Sequence, residues 1–495
     1  MEKFTKGRFI FSCVLAFFLL VAYCPFTVDA AKADKKAKPA KGDPLDQWAA
    51  KPNAVFDVDK MSDMSDYDPG TSVVPAGDTI KLAVVVSFSG PASIQGLWYY
   101  TLVQWVAHDI NKRGGIWVDG KKKLIQVIKA DHLGKPDTCK KVCERMALQE
   151  KVHALIGSDG SHHVKIMNET ANKYKIISVN LGSMVDELQD AKNFSRYAFH
   201  SYYSVEQSGR ALAYYFGQIS KKEKKFYILN QDYSYGRALA AAFKKGLQEY
   251  HPEGQIVGED YHKLFLTDFA PYLTKVKASG ADIILSGDFL PDGANLAKQA
   301  YEMKLNIPFA NIFMNDVTML RNIGVEGTKG FVRVDSFDMP DPFKSSPSYT
   351  RYYQIWKKVS ANWKAPYDTE SVRNVGAFGN GVAVMMQTYW LLSVMERAKS
   401  TDPEKIIKIW EGDTYRYVNG KVVKIRACDH KAIMDLGVSV YVPPAEQKIS
   451  MTIPPYYWFN DCSYIGPTYK IPAAKILPWM DQELNRCSGK TNWGE

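Results

Sequence analysis

Two glycine-flanked loops carry the side chains best suited to holding a small polar ligand. The first, Gly157-Ser158-Asp159-Gly160-Ser161, follows a short apolar run that ends at Ile156. Its glycines let backbone approach a ligand closely, and Ser161 is open to two roles, a cap on the helix that follows or a hydroxyl for a ligand oxygen. The second, Gly287-Asp288-Phe289-Leu290-Pro291-Asp292, presents an acid and an aromatic where the first presents hydroxyls. Asp292 is expected to cap its helix, while Asp288 stays open between a cap-region acid and a partner for a cation. Bond-making chemistry has no comparable constellation. There is no Gly-x-Ser-x-Gly elbow, no Walker loop and no His-Glu-x-x-His. His162 and His163 are adjacent on a helix and point about 100° apart, and Cys428-Asp429-His430 has no second cluster, so no metal is expected. Gly376-Ala377-Phe378-Gly379-Asn380-Gly381 has the wrong spacing for a dinucleotide fingerprint and reads as a turn into the next helix. The pattern predicts a binder, with no enzyme activity and no cofactor.

Such loops need strands before them and helices after them. Lys81–Phe88 is a β-branched apolar run closed by Ser89-Gly90-Pro91, and Leu97–Lys112 follows with helical spacing until Gly114-Gly115. The alternation continues through strands Leu124–Ala130, His153–Gly157 and Ile176–Asn180, with helices Pro136–Glu150 and Ser161–Tyr174 between them. After Tyr203 a second series opens. It runs helix Val205–Ser220, strand Lys225–Leu229, helix Tyr235–Tyr250, strand Ile256–Tyr261, helix Phe269–Ala278, strand Asp282–Ser286, helix Asp292–Leu305 and strand Pro308–Phe313. Short buried strands alternating with helices imply right-handed crossovers and parallel sheets covered on both faces. The fold class is therefore α/β, with two doubly wound parallel-sheet lobes joined by a multi-crossover hinge. Ser348–Ser360 and Gly379–Ala398 read as helices, and Lys421–Arg426 and Val438–Val442 as strands too few for a third sheet. The division expected is 1–30 signal peptide, 31–78 tether and N-terminal extension, 79–430 two-lobe domain and 451–495 C-terminal extension. Lobe 1 would take 79–203 with 331–410, and lobe 2 would take 204–330 with 411–450.

Length and composition agree with a globular protein: 495 residues, 46% hydrophobic and 23% charged. The net charge of +10 is concentrated at the start, with +1 in residues 1–30 and +4 in 31–41, so the body is only mildly basic. Lysines and aromatics form no basic stripe, which excludes nucleic acid as the expected partner. Lys3, Lys6 and Arg8 precede the apolar run Phe9–Tyr23, and Val28-Asp29-Ala30 offers a cleavage site. A removable export signal is the expectation. An uncleaved anchor needs a longer run, and a lipid on Cys24 would follow the bulky Tyr23 rather than a small residue. Ala31–Gly42, rich in Lys, Ala and Pro, reads as a flexible tether. No later segment is apolar for 18 residues, so the exported chain is expected in the periplasm.

Several strings together resemble the leucine/isoleucine/valine-binding protein family, the type I periplasmic binding proteins of ABC importers. They are Gly90-Pro91, Asp109-Ile110-Asn111 before Gly114-Gly115-Ile116, Leu155-Ile156-Gly157, Asp232 with Tyr235-Gly236, and Asp282 to Asp288, spread over residues 80–430. The resemblance implies a hinged pair of lobes closing on a small ligand, typically an aliphatic amino acid, with an ABC permease as partner and a monomeric state. It implies that Ser161 holds the ligand carboxylate, that Gly182 and Ser183 in Leu181-Gly182-Ser183-Met184 form a second contact, and that Tyr235 and Phe289 line the wall. Asp316, or Asp288 in its place, would neutralise the ammonium, and Gln95 with Trp98 would sit at the mouth. Asp159 departs from this scheme, since a carboxylate there would repel a ligand carboxylate. The ligand it implies is therefore an amino acid or a similar polar solute. A sensor with the same lobes, signalling to a membrane partner, is the alternative.

Five cysteines follow the signal. Cys139 and Cys143 lie four apart on a helix, about 6 Å between α-carbons, and aim poorly for a bridge. Pairing is expected among Cys428, Cys462 and Cys487. The tail from Met451 is aromatic, with Tyr456-Tyr457-Trp458-Phe459, and is expected to pack against its parent lobe.

Overall fold

The computed structural model describes residues 44–71, 74–183, 185–289, 291–311, 313, 317–336, 346–377, 379–443 and 464–495. The expected signal peptide and tether, Asp316, Cys462 and the aromatic run at 456–459 lie outside the described residues.

Five parallel strands build the first sheet: β1 (Ile80–Val86), β2 (Ile125–Asp131), β3 (Ala154–Gly157), β4 (Ile177–Asn180) and β5 (Ala198–His200), in the order β2-β1-β3-β4-β5. Helices α1 (Ser93–Lys112), α2 (Pro136–Leu148) and α3 (Ser161–Tyr174) make the crossovers. Every residue of β1 except Lys81 is buried, which is why the strand reads as a continuous apolar run rather than an alternating one. The short strand β5 is an addition to the four that the sequence predicts.

The second lobe repeats the plan. Helix α4 (Val205–Tyr214) leads into β6 (Lys225–Gln231), α5 (Ser234–Tyr250), β7 (Gln255–His262), α6 (Ala270–Ser279), β8 (Ile283–Leu285), α7 (Asp292–Glu302), β9 (Phe309–Ala310) and β10 (Val332–Asp335). These strands are parallel in the order β7-β6-β8-β9-β10, the same order as in the first sheet. Antiparallel strands β11 (Leu436–Val442) and β12 (Tyr464–Ile471) extend the far edge.

Three assignments differ from expectation. β10 sits in the second sheet between β9 and β11, not in the first lobe. The return to the first lobe comes after it, where α8 (Pro347–Ser360) and α9 (Gly379–Ala398) pack on α1. Trp356 lies against Trp105 with ring centres 4.7 Å apart, and Tyr389 Oη donates to the buried Asp109 at 2.8 Å. Thr414–Arg416, Val422–Ile425 and Ala432–Ile433 do not complete lobe 2. With Ala54–Val55 they form a third, four-stranded sheet that stacks Tyr415 on Trp390 of α9 and bridges to β5 at His200–Lys431. Finally, the fold begins before Thr79. Leu45, Phe56, Val58, Met64 and Tyr67 are buried, and Ser62 N donates to Asp109 at 2.7 Å. Trp48 meets Trp493 edge-on, whereas Val55 stays half exposed.

The tail crosses from one lobe to the other as a strap. On the second-lobe side Tyr250 Oη donates to Lys475 O (2.6 Å), Arg210 to Leu477 O (2.7 Å), and Trp479 N donates to Glu206 (2.6 Å). Beyond it, Ala191 N, just ahead of β5, donates to Asp481 at 2.6 Å, and Cys487 is bridged to Cys428. Cys139 and Cys143 are buried free thiols whose sulfurs lie 3.9 Å apart.

Candidate functional site

The loops after the strand ends of both sheets converge, and the helices that start there, α3 and α5, touch. In open parallel sheets this is where ligands bind.

On the first lobe, Ser161 is the first residue of α3. The cap position is Gly160, and no side chain caps the helix. The buried Ser161 hydroxyl instead receives the Ser183 hydroxyl at 2.6 Å, while Ser183 N is held by Asn180 Oδ1 at 3.0 Å. The structure thus brings together the two hydroxyls expected to meet a ligand. Gly182 lies under Tyr99: a β-carbon there would stand 1.9 Å from the Tyr99 hydroxyl, so only glycine admits that ring. Gln95 is buried in the first turn of α1, and one turn on Trp98 has a buried indole N–H without a partner.

Asp159 faces inward. Its carboxylate accepts from Ser87 N (3.0 Å), Ser158 Oγ (2.9 Å) and His132 Nε2 (3.0 Å), with His163 Nδ1 at 3.4 Å. Burial works to raise its carboxyl, but the bonds from His132, His163 and Ser87 override that and hold it well below the usual range. These partners come from the ends of β1, β2 and β3, so Asp159 ties three strand ends together. The trio His132, Asp159 and His163 is close enough to suggest a metal site. Gly134 N–H, however, points at His132 Nδ1 (3.1 Å), which places the proton on Nε2, where it faces Ser158 Oγ at 2.9 Å and Asp159 at 3.0 Å instead of offering a lone pair.

On the second lobe, Asp288 is buried and its oxygens are engaged: Gln231 N donates to one at 2.8 Å, and His262 Nε2 lies 2.7 Å from the other. Asp292 does not cap its helix, since Pro291 holds that position; it accepts from Gln231 Nε2 (2.8 Å) and Phe265 N (2.7 Å). The wall is aromatic. Tyr235 stacks with Tyr233 (5.9 Å) and tilts against Phe313 (5.4 Å), and Phe289 meets Tyr233 edge-on (6.0 Å). Asp316 lies outside the described residues.

Between the lobes lie residues that the sequence patterns do not single out. Tyr202 and Tyr203 follow β5, the first crossing point, with ring centres 4.2 Å apart, and Tyr202 Oη donates to Asn380 at 2.6 Å. Arg333 of β10 is buried and paired with Asp335. The adjacent tyrosines on a chain crossing were the available signal; Arg333 had none.

A profile described as "Periplasmic binding protein" matches residues 79–442. The chain belongs to the periplasmic binding protein family. It is 24% identical to Leu/Ile/Val-binding protein homolog 4 of Brucella abortus, over 62% of this chain and 73% of that one. Among solved structures, it resembles the closed form of a leucine-, isoleucine-, valine-, threonine- and alanine-binding protein from Brucella ovis (19% identity, TM-score 0.67, covering 82% of this chain and 98% of that one). It also resembles an R. palustris ABC-transporter solute-binding protein in complex with 4-hydroxybenzoate (19% identity, TM-score 0.65, covering 80% and 97%). These relatives confirm the resemblance read from the sequence and the two-lobed α/β fold. Periplasmic binding proteins are extracytoplasmic and generally not enzymes, and no helix among the described residues is long and apolar enough to cross a membrane.

His262 gives this periplasmic binding protein a pH-dependent element. Its Nδ1 faces Lys263 O at 2.9 Å and its Nε2 faces Asp288, so both ring nitrogens meet acceptors. Burial lowers its pKa, but the Asp288 carboxylate more than offsets this and raises it above the usual 6.5. The stability contributed by the pair is therefore fully present below pH 6.5 and lost as pH rises through the raised value. The gap in melting temperature between wild type and His262→Gln should be widest in mildly acidic buffer and narrow in alkaline buffer. A gap independent of pH would show that the pair is held together without the charge.

Proposed function

We propose that the chain captures a small carboxylate-bearing solute, of amino-acid size, by closing its two lobes and hands it to an ABC importer. The observation that carries this reading is the pair of like-ordered parallel sheets whose strand ends converge on Ser161, Ser183 and the Tyr233–Tyr235 wall. The names of the relatives fit it, since amino acids and 4-hydroxybenzoate share a carboxylate. No bond is made or broken. A ligand held by one lobe offers contacts that the other gains only on closure, so binding shifts the open–closed equilibrium by its differential affinity.

A thermal-shift screen of amino acids and small carboxylates tests this directly. A solute at about a hundred times its dissociation constant adds roughly 2.7 kcal/mol of stability. Silence across every small solute would overturn the reading. With a solute found, Ser161→Ala should weaken binding by about 1–3 kcal/mol, a larger change than the stability the free protein loses when Ser183 Oγ loses its acceptor. Lost stability with intact affinity would reduce Ser161 to a structural residue.

A further inference from the structure

The two sheets require three crossings between the lobes: after β5, between β10 and α8, and from Ala432–Ile433 into β11. The tail makes a fourth. Lys475 and Leu477 stay with the second lobe, where Tyr250 Oη at the end of α5 donates to Lys475 O at 2.6 Å and Arg210 of α4 donates to Leu477 O at 2.7 Å. The next carbonyl, Pro478 O, accepts at 2.6 Å from Arg426 of the third sheet, which belongs to the first lobe because it stacks on α9 and bridges to β5. Consecutive carbonyls are thus held by arginines from opposite sides.

That leaves little slack. Neighbouring α-carbons stay about 3.8 Å apart across a trans peptide, so the lobes cannot separate at 477–478 unless one arginine lets go. Trp479 tightens the joint: Arg210 and Lys245 of the second lobe lie over its ring at 4.9 and 3.3 Å, while its N–H donates to Glu206 beside the first crossing. Two residues on, Asp481 accepts from Ala191 N of the first lobe, and Cys487 is bridged to Cys428. Anchors on both sides of 477–478 resist pivoting as well as separation. All of them are made while α3 of the first lobe touches α5 of the second. The joint is satisfied with the lobes together, and parting them breaks its bonds. The match to the periplasmic binding protein profile ends at residue 442, so the joint lies outside the part of the chain that the family shares.

We infer that the strap is a brake on lobe opening, pinned by Arg210 and Tyr250 on the second lobe and by Arg426, Ala191 and the Cys428–Cys487 bridge on the first, so that the unliganded chain rests toward its closed arrangement. The inference rests on the lobe closure proposed above and supplies its regulation. A closed arrangement that is already well populated lowers what the ligand must spend on closing the lobes, and apparent affinity rises with that population. Releasing the strap therefore opens the lobes and weakens binding.

Pulsed dipolar spectroscopy on the full exported chain, in a Cys462→Ser background and without ligand, reads the opening directly. Spin labels go at Leu133→Cys and Phe265→Cys, exposed positions that follow β2 of the first lobe and β7 of the second. Cys139 and Cys143 are buried, and Cys428 and Cys487 are bridged, so none of the four competes for label. The parent should show mainly the short distance. Arg210→Met deletes the charged grip on Leu477 O and should raise the long-distance population at least about tenfold. Tyr250→Phe, a milder release that removes one hydroxyl, should raise it about fivefold. Cys428→Ser/Cys487→Ser, read without denaturant, frees the other end and should shift the distances the same way. Unchanged distances in the three variants would overturn the inference, and so would a shift confined to Arg210→Met, which would make Arg210 a local support of α4. A solute found by thermal shift alongside unchanged distances would overturn the brake alone. Lengthened distances with no solute found would leave the brake standing and remove the solute-binding reading.

Discussion

Arg426→Leu is expected to destabilise the folded chain by about 3–5 kcal/mol, because it strands a buried carboxylate. The Arg426 guanidinium is fully buried. Its Nε and one Nη pair with Asp429, the Nε bond at 2.9 Å, while the other Nη donates to Pro478 O at 2.6 Å and Asn492 O at 2.9 Å. Leucine keeps the apolar stem and removes every one of these donors. Asp429 is only 1% exposed; burial pushes its carboxyl up, and Arg426 more than offsets that and holds it down. Without Arg426 the acid keeps Lys431 as its nearby cation, and the carbonyls at 478 and 492 lose their partner. Urea denaturation should show the loss, and protease should cut the tail between 478 and 494 while the lobes resist. The deficit should shrink in acid, where a protonated Asp429 needs no counter-ion. A loss near zero would mean that the carbonyls and Asp429 find other partners.

Breaking Cys428–Cys487 is the second large effect. The bridge spans 59 residues of sequence and ties the strap to the turn that joins Val422–Ile425 to Ala432–Ile433 within the third sheet. Constraint of the unfolded chain by a loop of this length is worth roughly 4 kcal/mol, and loss of a native bridge typically costs about 2–5. Cys428→Ser/Cys487→Ser should therefore unfold at markedly lower urea, and wild type in reductant should follow it. Because Arg426 and the bridge fasten the same tail, their effects should not add: the triple variant should lose less than the sum of the two. Additive losses would show that the two fastenings act on separate parts of the molecule.

The legibility of this chain varied with the length and regularity of its elements. β1, β3, β4, β6 and the helices between them announce themselves, because a buried parallel strand is a continuous apolar run and the following helix has a period of its own. The third sheet does not, since Ala54–Val55 and Ala432–Ile433 are two-residue strands too short to carry any period. β10 is apolar at alternate positions, yet its lobe depends on which neighbour it pairs with, and that partner, β11, lies about a hundred residues further on. At the cleft, Ser161 was legible from loop position and Asp288 from its place after a strand, whereas Ser183 came only from the family resemblance. What their side chains bond to was not legible.

Sequence alone determined the alternation of strand and helix, the doubling of that pattern and the family resemblance, because these rest on local periodicity and short motifs. The tertiary structure decided that Asp159 and Asp288 turn inward to histidines and that the strap is fastened to the third sheet by Arg426 and one disulfide. Each of these depends on which distant residues supply a buried group's hydrogen bonds, and that is settled by packing across the chain rather than by the residues beside it.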